Sequence, residues 1–501
     1  MCGILGAYGK TQISVADELH LLTHRGPNHR GTVQINEVTL GHTRLAIVDV
    51  EHGQQPLQSP DGRYTLICNG EIYNHKDIRQ ALPDYPFQTE SDSEVILALY
   101  QKHGPQAVSM LDGMFGFVLY DVQEDAILLA RDPIGIKPLY YGWSEGTLYF
   151  GSEIKSLHHI VDELLEFPPG HYYTDGDLVQ YFDLNDFLPS MTSYSTTPTI
   201  QDIRASLTQA VNKRLMSDVP LGVYLSGGLD STIVAALVAQ KKSDLHSFAV
   251  GVEGSEDLEN ARQAADMLGT IHHEYIYTAE EILEALPEII YHLESFDPSL
   301  VRSAIPNYFL ARMTRKYVTV VLTGEGADEL YAGYHYLKKF DDQTLHGELI
   351  KLTASLYNCN LQRCDRMTMA HSIEARVPFL DTEFVALSMR IPKSEKIHPS
   401  TQTEKWVLRQ AFSDILPEHV TWRRKEQFSQ GAGSNHMLEA IAQKRFSDAE
   451  YMARASSILH KNGIRITSKE MLMYYSEFER FFHHKASHLV ELWHGDSLHN
   501  H

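Results

Sequence analysis

Apolar and polar positions follow two different patterns along the chain. Up to about residue 184, short apolar runs stand between turn signals, at residues 64–68, 115–120, 126–130, 139–141 and 148–150. Runs of this length rich in β-branched and aromatic residues predict strands. The break WSEG at 143–146 between the last two runs predicts a hairpin. Helical spacing shows around residues 15–22 and 93–102. This half therefore reads as strand-rich α+β.

From about residue 200 the order becomes strand, loop, helix. GVYL is followed by SGGLDS and TIVAALVAQ; HSFAVGV precedes a long helical stretch; YVTVVL precedes TGEGADEL. Alternating β and α units imply a doubly wound, mostly parallel sheet with helices on both faces. DFLPSMTSYSTTPT, rich in Ser, Thr and Pro, reads as a linker. The predicted organisation is a first domain at 1–184, a linker at 185–200, a second domain at 201–482 and a tail at 483–501. No repeat of solenoid period interrupts it. The tail, FFHHKASHLVELWHGDSLHNH, is expected to be a frayed helix, since no carboxylate or Cys is spaced to complete a metal site with its histidines.

Composition narrows the chemistry. The 501 residues carry 43% hydrophobic and 22% charged residues, which belongs to a well-cored globular protein of more than one domain. A formal charge of −22 argues against a nucleic acid or an anionic membrane as partner, though a local pocket can still hold a nucleotide. Four cysteines (Cys2, Cys68, Cys359, Cys364) are too few for a disulfide framework and lack the spacing of a zinc site. With no leader-like start and no long apolar run, the expected location is cytoplasmic.

SGGLDS, 226–231, is the most specific short stretch. After a strand and before a helix, its glycines let backbone N–H groups approach an anion, and Ser226 and Ser231 add hydroxyls. It is neither a Walker A loop nor a dinucleotide fingerprint. TGEGADE, 323–329, also follows a strand, so both loops should open at the carboxyl edge of one sheet. Asp230 and Asp328 offer hard oxygen ligands for Mg²⁺ on a pyrophosphate. Asp230 alone is as easily read as a helix cap. In WRRKEQFSQG, a basic cluster, Lys425 is the expected phosphate-facing cation.

SGGLDS in this setting resembles the pyrophosphate loop of the ATP pyrophosphatase superfamily, which implies adenylation of an acid with release of pyrophosphate. In the first half, MCGI, HRGP, RLAIVD, CNGEIYN and SDSE together resemble the class II glutamine amidotransferase domain. That resemblance implies an Ntn-hydrolase fold, two sheets between helix layers (αββα). A cysteine left N-terminal by removal of Met1 carries its own base: a thiol near pKa ~8.5 beside an amine near ~7.7–8.0. By the resemblance, Cys2 is the glutaminase nucleophile, with the Asn69 side chain and Gly70 N–H as oxyanion donors. Arg44 has the fork geometry for the glutamine α-carboxylate, and Asp92, with Glu71 beside it, suits the α-ammonium. Leu45, Ala46, Ile47 and Val48 complete the implied glutamine-binding set.

The combination resembles the glutamine-hydrolysing asparagine synthetase family (the B type) over nearly the whole chain, including RCDRMTMAHSIEARVPFLD and TSKEMLMYYSEFERFF. The resemblance implies an AMP-forming ligase: the aspartate β-carboxylate is adenylated and ammonia displaces AMP. Leu225, Ser226, Gly227, Gly228, Asp230, Ser231, Val250, Thr323 and Gly324 would contact ATP. Glu325 matches the acid needed for β-aspartyl-AMP formation, and Lys425 the base near the leaving pyrophosphate. Glutamine, aspartate and ATP are the expected small-molecule partners, with Mg²⁺; a homodimer is left open.

Departures from the family pattern are Thr323 for serine, Asn28 for aspartate, and Ser299 and Leu300 where two threonines commonly precede the arginine, Arg302 here. The last bears on the acceptor acid. Two other readings compete: an amidotransferase of the same architecture acting on a different carboxylate, and a non-catalytic nucleotide or glutamine sensor. Retention of Cys2, SGGLDS and Glu325 together speaks against the sensor.

Overall fold

The computed structural model describes residues 1–11, 13–187, 197–423 and 435–492. The first half holds twelve strands: β1 (Gly3–Tyr8), β2 (His29–Ile35), β3 (Val38–Arg44), β4 (Leu57–Gln58), β5 (Tyr64–Ile72), β6 (Gly113–Asp121), β7 (Ala126–Arg131), β8 (Tyr140–Ser144), β9 (Thr147–Gly151), β10 (Glu163–Glu166), β11 (His171–Thr174) and β12 (Asp177–Gln180). They form two antiparallel six-stranded sheets, ordered β10-β8-β9-β1-β3-β2 and β12-β11-β7-β6-β5-β4. The five runs predicted as strands lie in β5 to β9, and the WSEG hairpin closes with Ser144 opposite Thr147.

The period-two alternation decides which face meets which layer. On β6, Val118 and Tyr120 join Ile4, Leu40, Ile67 and Phe150 in the core between the two sheets. Phe115, Phe117 and Leu119 face the other way, against Ile78, Val95 and Leu99 of the helices His75–Ala81 and Glu94–His103. Gly6 makes the sandwich close at one point: a Cβ there would sit 2.4 Å from the Phe150 ring.

The outer layer of the first sheet is thin. Leu5 and Ala7 pack on the short turns Val15–Glu18 and Leu19–Leu22 and belong to one continuous core with Ile289, Ile290 and Leu293 of the helix Ala279–Leu293. The second domain thus supplies part of the fourth layer of the first.

The second half is built on a parallel sheet of β13 (Leu221–Tyr224), β14 (His246–Gly251), β15 (Ile271–Ile276), β16 (Val320–Leu322) and β17 (Glu374–Arg376), ordered β15-β14-β13-β16-β17. The chain runs outward from β13 to β15, then resumes at β16 on the other side of β13. The order therefore switches between β13 and β16, where a crevice opens at the carboxyl ends of the strands. Only residues 320–322 of the predicted run YVTVVL are strand, because the flanking β13 and β17 are four and three residues long.

Helix Ile200–Lys213 starts inside the expected linker, on a capping box formed by Thr199 and Asp202. Residues 188–196 of that linker, Lys425 and tail residues 493–501 lie outside the described residues. The described part of the tail does not fray. It forms a short 3-10 turn, His484–Leu489, with Ala486 and Ser487 buried and the His488 ring 2.8 Å from the Leu164 carbonyl on β10. Among the described residues no helix is long and apolar enough to cross a membrane.

Candidate active sites

Cys2 sits one residue before β1, buried, where β1 and β3 run together. Its N–H donates to Asn69 Oδ1 at 3.0 Å, and its carbonyl accepts from Arg25 Nε at 2.9 Å. Burial pushes the thiol up, against the pull of the Met1 ammonium, the Leu45 N–H and Arg44. Asn69 uses only its oxygen here: Nδ2 is buried with no partner among the described residues. Beside it, the N–H groups of Cys68 and Ile72 leave the ladder for Gln55 Oε1 and Asp92 Oδ2, at 2.6 Å each. N–H groups alternate along an antiparallel strand, so that of Gly70 points to the same open edge. A Cβ at Gly70 would lie 2.2 Å from the Met114 carbonyl, so the position takes glycine alone. Asn69 Nδ2 and the Gly70 N–H thus stand on the strand whose Asn69 holds the Cys2 N–H.

Arg44 bends the chain after β3 around its guanidinium. It donates to the Val48, Asp49 and Val50 carbonyls at 3.2, 2.6 and 2.9 Å. Leu45, Ala46, Ile47 and Val48 form that bend, and Asn28 Oδ1 holds the Ala46 N–H at 3.0 Å. Burial raises the Asp92 carboxyl, opposed by the Ile72 N–H and His75. Burial, with Glu374 and Asp92 nearby, pushes Glu71 well above the usual carboxylate range.

The second site lies at the switch point. Gly227 has φ +68, and a Cβ would sit 2.4 Å from Asn260, so the turn of SGGLDS requires glycine. Gly228 caps the helix Leu229–Ala239, which places Asp230 and Ser231 in its first turn. Ser226 and Ser231 hydroxyls meet at 3.0 Å. The loop after β16 touches this one: a Cβ on Gly324 would lie 2.9 Å from Asp230. Between them is a cavity of about 430 Å³ whose wall includes Leu225, Ser226, Gly228, Asp230, Ser231, Val250, Thr323, Gly324, Glu325 and Asp328. Of the expected nucleotide residues Gly227 alone is off the wall, turned into the protein by its left-handed backbone.

Lys405, unsuspected from sequence, puts its Nζ 2.6 Å from Asp230 Oδ2 and 2.7 Å from Asp328 Oδ1. The two carboxylates expected to hold a metal therefore do converge on one point. Glu325 accepts from Arg363 Nη2 at 2.6 Å. Arg302 is turned away from the cavity and clamped by Glu470, while Ser299, Leu300 and Ser303 form its wall.

Residues 1–175 match the glutamine amidotransferase domain family, and residues 202–344 and 337–499 the asparagine synthase family. A Schizosaccharomyces pombe protein named probable asparagine synthetase [glutamine-hydrolyzing] is 40% identical over 98% of this chain and 96% of its own length. Proteins named asparagine synthetase [glutamine-hydrolyzing] from Asparagus officinalis and, as form 2, Arabidopsis thaliana are each 40% identical, over 96% and 97% of this chain and 86% and 88% of theirs. The chain belongs to the glutamine-hydrolysing asparagine synthetase family.

In this family member the amidotransferase and synthetase domains share buried ion pairs. Arg25, fully buried, bonds Glu153 Oε1 at 2.6 Å and Asp365 at 2.8 and 3.2 Å. Asp365 and Arg363 lie on one helix, Asn360–Met369, so that helix touches Arg25, which holds Cys2, and carries Arg363, which holds Glu325. On β17, Glu374 Oε2 accepts from the Met1 ammonium at 2.8 Å, and the Arg376 carbonyl accepts from Thr323 N–H at 3.0 Å. Burial alone would raise Glu374; the Met1 ammonium and Arg376 outweigh it and hold its carboxyl at about 2. β17, which runs into the ARVPFLD stretch, thus links the Met1 ammonium to the TGEGADE loop.

Proposed function

We propose that the chain makes asparagine from aspartate, ATP and glutamine. The reading rests on one observation: a buried cysteine bonded to Asn69, whose Nδ2 has no partner among the described residues, and a nucleotide-sized cavity between SGGLDS and TGEGADE, within one chain of this family. Once Met1 is removed, the α-amine of Cys2 takes the thiol proton and the thiolate attacks the glutamine carboxamide carbon. Asn69 Nδ2 and the Gly70 N–H receive the oxyanion. The C–N bond breaks, ammonia leaves with the amine's proton, and water hydrolyses the thioester to glutamate. Arg44, the bend at 45–48, Glu71 and Asp92 hold the substrate's α-groups.

In the second site the β-carboxylate of aspartate attacks the α-phosphorus of ATP. Pyrophosphate leaves along the SGGLDS loop, with its charge met by N–H groups at the helix start and by Lys425, while Lys405 orders the carboxylates of Asp230 and Asp328. Ammonia then forms the C–N bond of asparagine and AMP departs. Asp230 Oδ1, buried without a partner among the described residues, fits a cation ligand; Asp230 and Asp328 would hold the Mg²⁺ that neutralises the triphosphate.

The test is synthesis with ATP, Mg²⁺, aspartate and either glutamine or ammonium, followed by asparagine, AMP and pyrophosphate. Cys2→Ala is expected to abolish glutamine-driven synthesis and spare the ammonium-driven reaction. Loss of both, or of neither, would remove the role given to Cys2. Pyrophosphate release on another acid in place of aspartate would move the acceptor assignment.

A further inference from the structure

An aspartate in the cavity must present its β-carboxylate to ATP while something holds its α-carboxylate and α-ammonium. The loop at 297–304 does not supply the cation, since Arg302 is committed to Glu470. The lysines and arginines on the cavity wall are mostly committed as well. Lys405 bridges Asp230 and Asp328, Arg409 is held by Glu404 and the Thr421 carbonyl, and Arg423 by Asp257. Arg363 is different. One Nη2–H bonds Glu325 Oε1 at 2.6 Å and Nη1 reaches Asn307 Oδ1 only at 3.4 Å. Its Nε is buried with no partner among the described residues. A guanidinium has five donors in a planar fork matched to a carboxylate, and this one, 5% exposed, leaves most of them unspent.

We propose that Arg363 and Glu325 together read the zwitterionic head of the acceptor: Arg363 takes the α-carboxylate and Glu325 the α-ammonium. The pair's opposite charges, 2.6 Å apart on one wall, mirror the adjacent opposite charges of an α-amino acid. Asn307, from the helix Pro298–Thr314 and also on the cavity wall, accepts from Nη1 of the fork. Leu300 on the same wall offers no hydrogen bond, so discrimination falls to the ion pair in place of the hydroxyls expected from the family pattern. This assignment rests on aspartate being the acceptor.

The experiment measures pyrophosphate release with ATP and three acids: aspartate, β-alanine (which lacks the α-carboxylate) and succinate (which lacks the α-ammonium). A lost charge-assisted contact weakens binding by on the order of 10–10²-fold, so the unmodified enzyme should favour aspartate over both analogues by at least that much in kcat/KM. In Arg363→Met the aspartate to β-alanine ratio should collapse toward one while glutamine hydrolysis, read as the folding control, is unchanged. If Arg363→Met releases no pyrophosphate on any acid, Arg363→Lys keeps the charge without the fork and should raise the aspartate KM about tenfold, leaving β-alanine unaffected. An aspartate to β-alanine ratio unchanged in either variant overturns the assignment, leaving Arg363 as a support for Glu325. No release by the unmodified enzyme on aspartate overturns the acceptor itself, which a working enzyme with an unchanged ratio does not.

Discussion

Replacing Asn69 with alanine separates the two catalytic halves through one side chain. Its Oδ1 orients Cys2 N at 3.0 Å, and its Nδ2 is a buried donor without a partner among the described residues. Loss of one preorganised oxyanion donor costs ~10²–10³-fold in kcat, about 2.7–4 kcal/mol of transition-state stabilisation. The lost hydrogen bond to Cys2 N adds about 1 kcal/mol of local destabilisation, too little to unfold the domain. The assay is glutamate release under saturating glutamine, run beside asparagine formation from ammonium on the same preparation. The expected result is a kcat fall of ~10²–10³-fold for glutamine, a glutamine KM within about threefold, and an unchanged ammonium rate. A fall below about tenfold would show that Nδ2 does not meet the oxyanion. An equal fall in the ammonium rate would show damage to the fold.

Arg25→Met removes the closest cation of Asp365 and one of those around Glu153, leaving Lys137, Lys155 and Arg366 nearby; urea unfolding should show a loss of roughly 1–3 kcal/mol, below that of a fully uncompensated buried charge. Lys405→Met should lower pyrophosphate release by more than about tenfold and leave glutamate release alone, since its ammonium touches only the carboxylates of the second site. Gly227→Ala places a Cβ 2.4 Å from Asn260 at φ +68, and nucleotide binding by calorimetry should fall below detection. Burial holds His42 down at about 3, so the native state resists a proton that the unfolded chain accepts below about pH 6.5. The unfolded state then binds more protons, and stability falls as pH drops from ~6.5 toward 3, by up to about 1.4 kcal/mol per pH unit from this group. His42→Gln should flatten the urea midpoint against pH over that window by about one proton.

Local pattern carried much of this chain. Strands β5, β6, β7 and β9 were legible because both faces of each are buried, which writes them as short continuous apolar runs between turn signals. The SGGLDS loop was legible because turn chemistry is written in a few adjacent residues: Gly227 needs its left-handed φ and Gly228 its helix start. Illegible were the partners brought in by long loops. Lys405 meets Asp230 across 175 residues and Arg25 meets Asp365 across 340, and an ion pair leaves no periodic trace in either segment. Arg363 and Glu374 were quoted as parts of family-like stretches, yet nothing near them in sequence shows that one faces Glu325 and the other the Met1 ammonium. The thin outer layer of the first sheet was hidden for the same reason, because Ile289 and Leu293 cover it from the other domain.

Transfer of nitrogen between the two sites is the central claim, and one isotope experiment tests it. Glutamine labelled with ¹⁵N at the amide is supplied with ATP, Mg²⁺ and aspartate, and the asparagine is read by mass spectrometry with AMP and pyrophosphate counted alongside. The account predicts ¹⁵N in the asparagine side-chain amide, with AMP and pyrophosphate formed in equal amounts. Labelled ammonia released without asparagine, or ADP and phosphate in place of AMP and pyrophosphate, would contradict it.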